Sequence, residues 1–175
     1  MILRALQYYF SQRKQPLPRE TSPDTTPAAG VDWHRYMGRW FELARFETPF
    51  EFGLDDVWTE YAMQPNGQVS ITNYGSDSAG RVHQARGLAW PVADGALQVS
   101  FVPLLRFISS PYHVLRVEDA YQYALVSNAS GSCLWVLSRH AHVPGPLLLP
   151  LLQDAAHRGF DVARLLPTRQ SLNEG

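Results

Sequence analysis

The chain predicts an all-β domain, an up-and-down antiparallel sheet of eight strands followed by one helix. Three observations carry this. Eight runs with strand-like patterning fill positions 39–139. Turn signals rich in Gly, Pro, Asn and Asp separate most of them at short spacing. A helix-period stretch follows only after the last run. Closing such a sheet into a barrel removes its edges, and an open sandwich is the physical alternative. The strand pattern alone is compatible with both.

Along the chain, Ile2, Leu3, Leu6, Tyr9 and Phe10 fall on one helical face. A short interfacial helix and a frayed tail both fit that pattern. Gln15 to Gly30 carries Pro16, Pro18, Pro23 and Pro27 among small polar residues and reads as a linker. The expected divisions are therefore a tail and linker over 1–30, a barrel domain over 31–168 and a C-terminal tail over 169–175. Strands are expected at 39–47, 56–64, 67–74, 81–90, 95–102, 112–118, 121–127 and 132–139. Pro65-Asn66-Gly67, Ser78-Ala79-Gly80, Ala93-Asp94-Gly95, Glu118-Asp119 and Ser130-Gly131 mark turns between them. Within Pro144 to Arg158, Leu148, Leu151, Leu152 and Ala155 share a helical face, and Gly159 can cap the end. Pro150 either starts that helix or kinks it. Phe160 to Leu165 reads as a short final strand.

Composition narrows the function. A length of 175 residues suits one domain with a real core. A formal net charge of -1 lacks the basic footprint that nucleic-acid binding calls for. Five Trp, eight Tyr and eight Phe fill a core or line a pocket for apolar ligands. Cys133 is the only cysteine, so no intramolecular disulfide and no multi-cysteine metal site can form. No apolar run reaches the ~18 residues of a membrane-spanning helix. The basic residues Arg13 and Lys14 follow the N-terminal apolar stretch, the reverse of a signal peptide.

Gly38-Arg39-Trp40, behind the aromatic turn Trp33-His34-Arg35-Tyr36, resembles the opening signature of the lipocalins. Asp119 to Val126 resembles that family's middle motif, and Leu134-Trp135-Val136-Leu137-Ser138-Arg139 its last barrel strand. The likeness covers about Val31 to Thr168 and is nearest to bacterial lipocalins of the outer-membrane lipoprotein Blc type. Plant temperature-induced lipocalins and apolipoprotein D come next. The resemblance implies the eight-stranded up-and-down antiparallel β-barrel with one C-terminal α-helix packed on its wall. It also implies that Arg139 lies across Trp40 at the barrel floor, with Gly38 beside them in a structural role. Blc-type proteins are lipid-anchored through a cysteine after the signal peptide. No cysteine precedes Cys133 here, so that anchor is not expected.

Alternation assigns the lumen. If Trp40 points inward, so do Glu42 and Ala44 by period two. Arg139 carries Leu137, Trp135 and Cys133 inward. On the other strands the inward sets are Tyr61 and Met63; Val69, Ile71 and Asn73; Ala85, Gly87 and Ala89; Leu97, Val99 and Phe101; His113, Leu115 and Val117; Ala124 and Val126. The expected ligand-binding residues are Tyr61, Ile71, Asn73, Val99, Phe101, His113, Leu115 and Trp135. Tyr61 takes its place because it matches a pocket tyrosine of apolipoprotein D-like members, and His113 is set toward the mouth.

A mostly apolar lumen with few polar groups suits an acyl chain. The resemblance implies a fatty acid or lysophospholipid, stored or transported for envelope maintenance, with peripheral membrane association and a homodimer as further expectations. It places the protein in the cell envelope, at the outer membrane or in the periplasm. A cytoplasmic location is the alternative, since no clear signal peptide or lipidation cysteine is seen. The runner-up ligand is a tetrapyrrole with His113 as axial ligand, and a small enzyme using Cys133 is the third reading. No catalytic motif, metal site or cofactor is expected. His140 and His142 form the only tight histidine pair, with no carboxylate or cysteine at ligand spacing.

Overall fold

The computed structural model describes residues 22–102 and 107–171, so the predicted helix over 2–10 lies outside the described residues. One helical turn, α1 (Trp33–Tyr36), precedes eight strands: β1 (Gly38–Arg45), β2 (Asp55–Met63), β3 (Val69–Ser76), β4 (Val82–Ala93), β5 (Ala96–Ser100), β6 (Ser110–Val117), β7 (Tyr123–Ser127) and β8 (Leu134–Ser138). Each pairs antiparallel with the next, and β1 pairs with both β2 and β8. The sheet is thus a closed barrel, which decides against the sandwich. A turn of 3-10 helix (Gly145–Leu148) leads into α2 (Leu149–His157), and a two-residue strand, β9 (Leu166–Pro167), adds to β1.

Pro150 falls in the first turn of α2, where its missing N–H removes no helical bond. Gly159, with φ +90°, supplies the left-handed position that ends the helix, and its N–H donates to the Ala156 carbonyl. The final strand is not at 160–165 as expected. Asp161 accepts from the Ala163 N–H and caps a 3-10 turn, Val162–Arg164, and the extended residues come only afterwards.

Two cores result. The lumen holds Tyr36, Trp40, Tyr61, Ile71, Leu97, Val114, Val126 and Leu137 among others. The second core lies between the outer wall and α2, where Leu148, Leu151, Leu152 and Ala155 meet Leu115, Leu125, Leu134 and Val136. Both faces of β7 and β8 are therefore buried, so those strands read as continuous apolar runs instead of a clean alternation.

Two bulges decide which residues belong to which core. Between Glu42 and Ala44 the β1–β8 register shifts. Glu42 stands opposite Leu137 and Arg45 opposite Trp135, while Ala44 stands opposite Val136. Ala44 therefore joins the wall core, not the lumen as alternation expected. The β6–β7 register shifts between Val114 and Arg116 in the same way. Tyr112 and Val114 face the lumen, Leu115 faces α2, and Val117 returns to the lumen side. An extra residue in one strand flips every side chain beyond it.

Segments outside the strands tie the barrel together. Asp24 N–H donates to the Arg158 carbonyl and Ala28 N–H to that of Val114. Arg158 answers by donating to the carbonyls of Thr26 and Leu115. At the other end β1 and β2 splay apart, and residues 168–170 fill the gap. Thr168 N–H donates to the Leu43 carbonyl, and buried Gln170 donates to the carbonyls of Glu42 and Val57.

Candidate functional site: the barrel lumen

The closed end is built from α1, the short turns at 64–68, 94–95 and 118–122, and Arg139. Asp32 caps α1 by accepting from the backbone of His34 and Arg35, which fixes the aromatic turn under the barrel. Trp40 is fully buried, and its indole N–H donates to the Tyr36 carbonyl at 2.8 Å. The Arg139 guanidinium lies 4.0 Å over the Trp40 ring. It also donates to the carbonyls of Arg35, Tyr36, Arg39 and Tyr121. Gly38 has φ +92°, a left-handed conformation that disfavours any side chain, and it sits beside Arg139, whose Nη1 would lie 3.4 Å from a Cβ there. These contacts bring Gly38, Trp40 and Arg139 together at the closed end.

Above the floor runs a polar stripe. The Tyr112 hydroxyl bonds to those of Tyr36 at 2.8 Å and Tyr61 at 2.9 Å. Tyr61 in turn bonds Thr59, which donates to Asn73 Oδ1 at 2.9 Å. One directed chain of O–H donors can satisfy the whole stripe. Burial pushes Tyr61 up to about 12 and both other phenols well above their ordinary value. All three stay neutral, so the deep lumen is polar in places but not charged there. The remaining lining is aliphatic: Val69, Ile71, Ala89, Leu97, Val99, Ala124 and Val126 are buried.

Of the expected ligand residues, the structure groups Tyr61, Ile71, Asn73, Val99 and Trp135 along the lumen. Phe101 is half-exposed at the mouth, its ring over Gly87, where an added Cβ would meet it at 2.9 Å. His113 and Leu115 are corrections. His113 Nδ1 lies 2.8 Å from the Thr25 carbonyl, against the N-terminal segment, and Leu115 packs in the α2 core. The β6 bulge is the reason. Tyr112 and Tyr36 were missed, although Tyr112-x-Val114 was a readable alternation once Leu115 is taken as the extra residue. Ala85 is exposed, because the β3–β4 hairpin runs beyond the barrel. His113→Ala is expected to leave lumen binding unchanged and to cost about 1 kcal/mol of stability, the worth of one hydrogen bond, as read by urea denaturation.

The open end differs in kind. Phe50 and Phe52 on the β1–β2 loop and Phe107 and Ile108 on the β5–β6 loop are exposed. Between the two loop phenylalanines, Glu51 turns inward. Its carboxylate accepts from Trp135 Nε1 at 3.1 Å and from the Thr48 hydroxyl at 2.8 Å. Arg45, buried, pairs with Glu42 at 2.6 Å and donates to the backbone carbonyls of Glu51 and Leu54. Thr168 donates to Glu42. Burial, then the Glu42 charge, pushes Glu51 up to about 7, and burial likewise raises Glu42 against the pull of Arg45. Glu42 was expected inward, but alternation says nothing of the partners it meets there, Arg45 and Thr168.

Cys133 is half-buried and its thiol is pushed up by burial, which lowers its thiolate fraction. Its nearest polar partner is the Ser132 hydroxyl at 3.9 Å. Among the described residues no cluster of His, Cys, Asp and Glu is arranged to hold a metal ion.

This arrangement has known counterparts. Residues 31–170 match the family model of the lipocalin-like domain. The outer membrane lipoprotein Blc of Vibrio cholerae is 36% identical over 149 residues, covering 82% of this chain and 85% of the relative. Temperature-induced lipocalin-1 of Arabidopsis thaliana is 34% identical, covering 81% of each. Among solved structures, the cockroach allergen Per a 4 superposes with a TM-score of 0.69 at 17% identity, covering 87% of this chain and 97% of that one. The match over nearly the whole barrel, on a floor built from Gly38, Trp40 and Arg139, shows that the chain belongs to the lipocalin family.

Proposed function

We propose that this protein binds a fatty acid or lysophospholipid by reversible burial of its acyl chain in the barrel, and stores or carries it for envelope maintenance. Lipocalins bind small hydrophobic ligands, and one observation supports this narrower choice. The lumen is aliphatic and aromatic, and its deep polar groups are neutral hydroxyls that satisfy one another. An acyl chain can pass them without stranding a charge. The relatives named outer membrane lipoproteins support a location in the envelope, and nothing in them supports the cytoplasmic alternative. Exposed Phe50, Phe52 and Phe107 around the mouth fit peripheral contact with a lipid surface. Among the described residues no helix is long and apolar enough to cross a membrane. Sedimentation velocity of the full chain tests the homodimer.

Titrating intrinsic tryptophan fluorescence with a saturated acyl series tests the reading. Each fully buried methylene is worth about 0.8 kcal/mol, or roughly a fourfold gain in affinity. Affinity is expected to climb with chain length and then level off once the lumen is filled. Affinity independent of length would sink the proposal. The tetrapyrrole reading loses its proposed axial ligand, because His113 lies against Thr25 and not in the lumen.

A further inference from the structure

Glu51 stands at the top of the lumen with its carboxylate turned inward. Its neighbours Phe50 and Phe52 are 68% and 76% exposed, while the carboxylate between them lies against Trp135. Ordinary burial preferences would place these side chains the other way round, so a charge is held beside an apolar cavity. Oε2 accepts from the Thr48 hydroxyl at 2.8 Å and from the Trp135 indole N–H at 3.1 Å. Oε1 takes the longer arm of the same indole contact, 3.3 Å. A carboxylate has about four lone-pair sites, and these contacts leave one on Oε1 for a donor from elsewhere.

The cation beside it is already spent. Among the described residues, the cation acting on Glu51 is Arg45. Arg45 gives Nη1 to Glu42 and Thr168, and Nη2 to the carbonyls of Glu51 and Leu54. Its remaining Nε is fully buried. Deeper in the lumen, the hydroxyls of Tyr36, Tyr61 and Tyr112 bond to one another. A fatty-acid carboxylate drawn up to Trp135 therefore meets a charge of its own sign in a site partly shut off from water, and no guanidinium that can turn to it. A hydroxyl meets the reverse. Its O–H can donate to Oε1, and bonds to an ionised acceptor are roughly twice as strong as neutral ones.

We propose that Glu51 selects the headgroup: the lumen takes an acyl ester of glycerol, whose hydroxyl donates to Glu51, in preference to the free fatty acid. This narrows the lipid-binding reading and rests on it. The ester puts an uncharged carbonyl where the fatty acid has its charge, and the glycerol carries a hydroxyl a few bonds further on. A monoacylglycerol and a lysophospholipid share this part and differ in what lies beyond it.

Titration of intrinsic tryptophan fluorescence with matched lauroyl ligands tests the selection. Laurate, methyl laurate, 1-lauroylglycerol and 1-lauroyl-lysophosphatidylcholine are compared, each below its micelle concentration. The pH is 8, above the value of about 7 to which burial and then the Glu42 charge raise Glu51. Native protein is set against Glu51→Gln, which is isosteric and keeps an acceptor for Trp135 and Thr48, on a loop whose backbone Arg45 still holds. Affinities are read relative to methyl laurate, which has neither charge nor donor, so a general effect on the mouth cancels. On going from native to variant, the relative affinity of 1-lauroylglycerol is expected to fall by about fivefold and that of laurate to rise by about tenfold. A merely structural role for Glu51 would move both together, and relative affinities that stay the same, or move together, overturn the proposal. A fall for the lysophospholipid like that of 1-lauroylglycerol, with tighter binding than the glyceride, supports the selection with a phospholipid as the source. The same fall with weaker binding supports it with a neutral glyceride as the source. Failure of every ligand, methyl laurate included, sinks the lipid-binding reading and the selection with it, whereas binding without selection sinks the selection alone.

Discussion

Trp40→Ala is expected to destabilise the barrel by about 3–5 kcal/mol, lowering the melting temperature by on the order of 10 °C for a domain of this size, while the folded variant still binds acyl probes. The indole is fully buried and is the hub of the floor. It packs against the tilted Tyr36 ring with centroids 4.9 Å apart, carries the Arg139 guanidinium over its own ring and donates to the Tyr36 carbonyl. Its removal leaves a cavity next to an Arg139 guanidinium that has lost its cation–π surface. Arg139 keeps its bonds to the carbonyls of Arg35, Arg39 and Tyr121, so the turn under the barrel should loosen without dissolving. Thermal denaturation and probe titration of the same preparation check the two halves of the claim. An unchanged melting curve with lost binding would show that Trp40 belongs to the ligand site and not to the floor.

The floor was legible through the family resemblance: Gly38-x-Trp40 and the strand running into Arg139 resemble lipocalin signatures, and that likeness, not the residue pattern, set Arg139 across Trp40. Turn positions were legible where a turn carries its own Gly, Asn or Asp signal, as most do; the β5–β6 connection, residues 101–109, carries none. The inward register failed where it depended on a count that the sequence does not display. In β6 both alternating sets are plausible: Tyr112 and Val114 on one side, His113, Leu115 and Val117 on the other. Leu115 is apolar because α2 covers the outer wall, so hydrophobicity there does not mark the lumen. In β1 the run Phe41 to Phe46 is buried throughout. Alternation in such a strand says nothing about the bulge that moves Ala44 out and Arg45 in. The mouth cluster was illegible for a further reason. Its members come from β1, the β1–β2 loop, β8 and the C-terminal segment, and only the splaying of β1 from β2 brings Thr168 to Glu42.

That cluster also sets the second large expectation. Arg45→Met keeps the volume of the side chain but removes the cation, and should cost about 3–5 kcal/mol near neutral pH. Arg45 and Glu42 have side chains 6% and 4% exposed, so water cannot replace the lost partner. The damage should depend on pH, and its direction follows from the raised carboxylates. Without Arg45, Glu42 and Glu51 are pushed further above 4.5 in the folded state than they already are. A carboxyl with a raised folded pKa holds its full stability below the unfolded value and loses it as pH climbs through the folded one, at about 1.4 kcal/mol per unit. Urea denaturation at pH 5 and pH 8 should therefore show native and Arg45→Met closest at pH 5 and furthest apart at pH 8. Adding Glu51→Gln to Arg45→Met should recover part of the loss at pH 8 and little at pH 5, because it removes one of the two buried anions and leaves its hydrogen bonds to Trp135 and Thr48. A gap between native and variant that is constant with pH would mean that Arg45 acts through its bonds to the loop carbonyls, with the carboxylate pair contributing nothing to the balance.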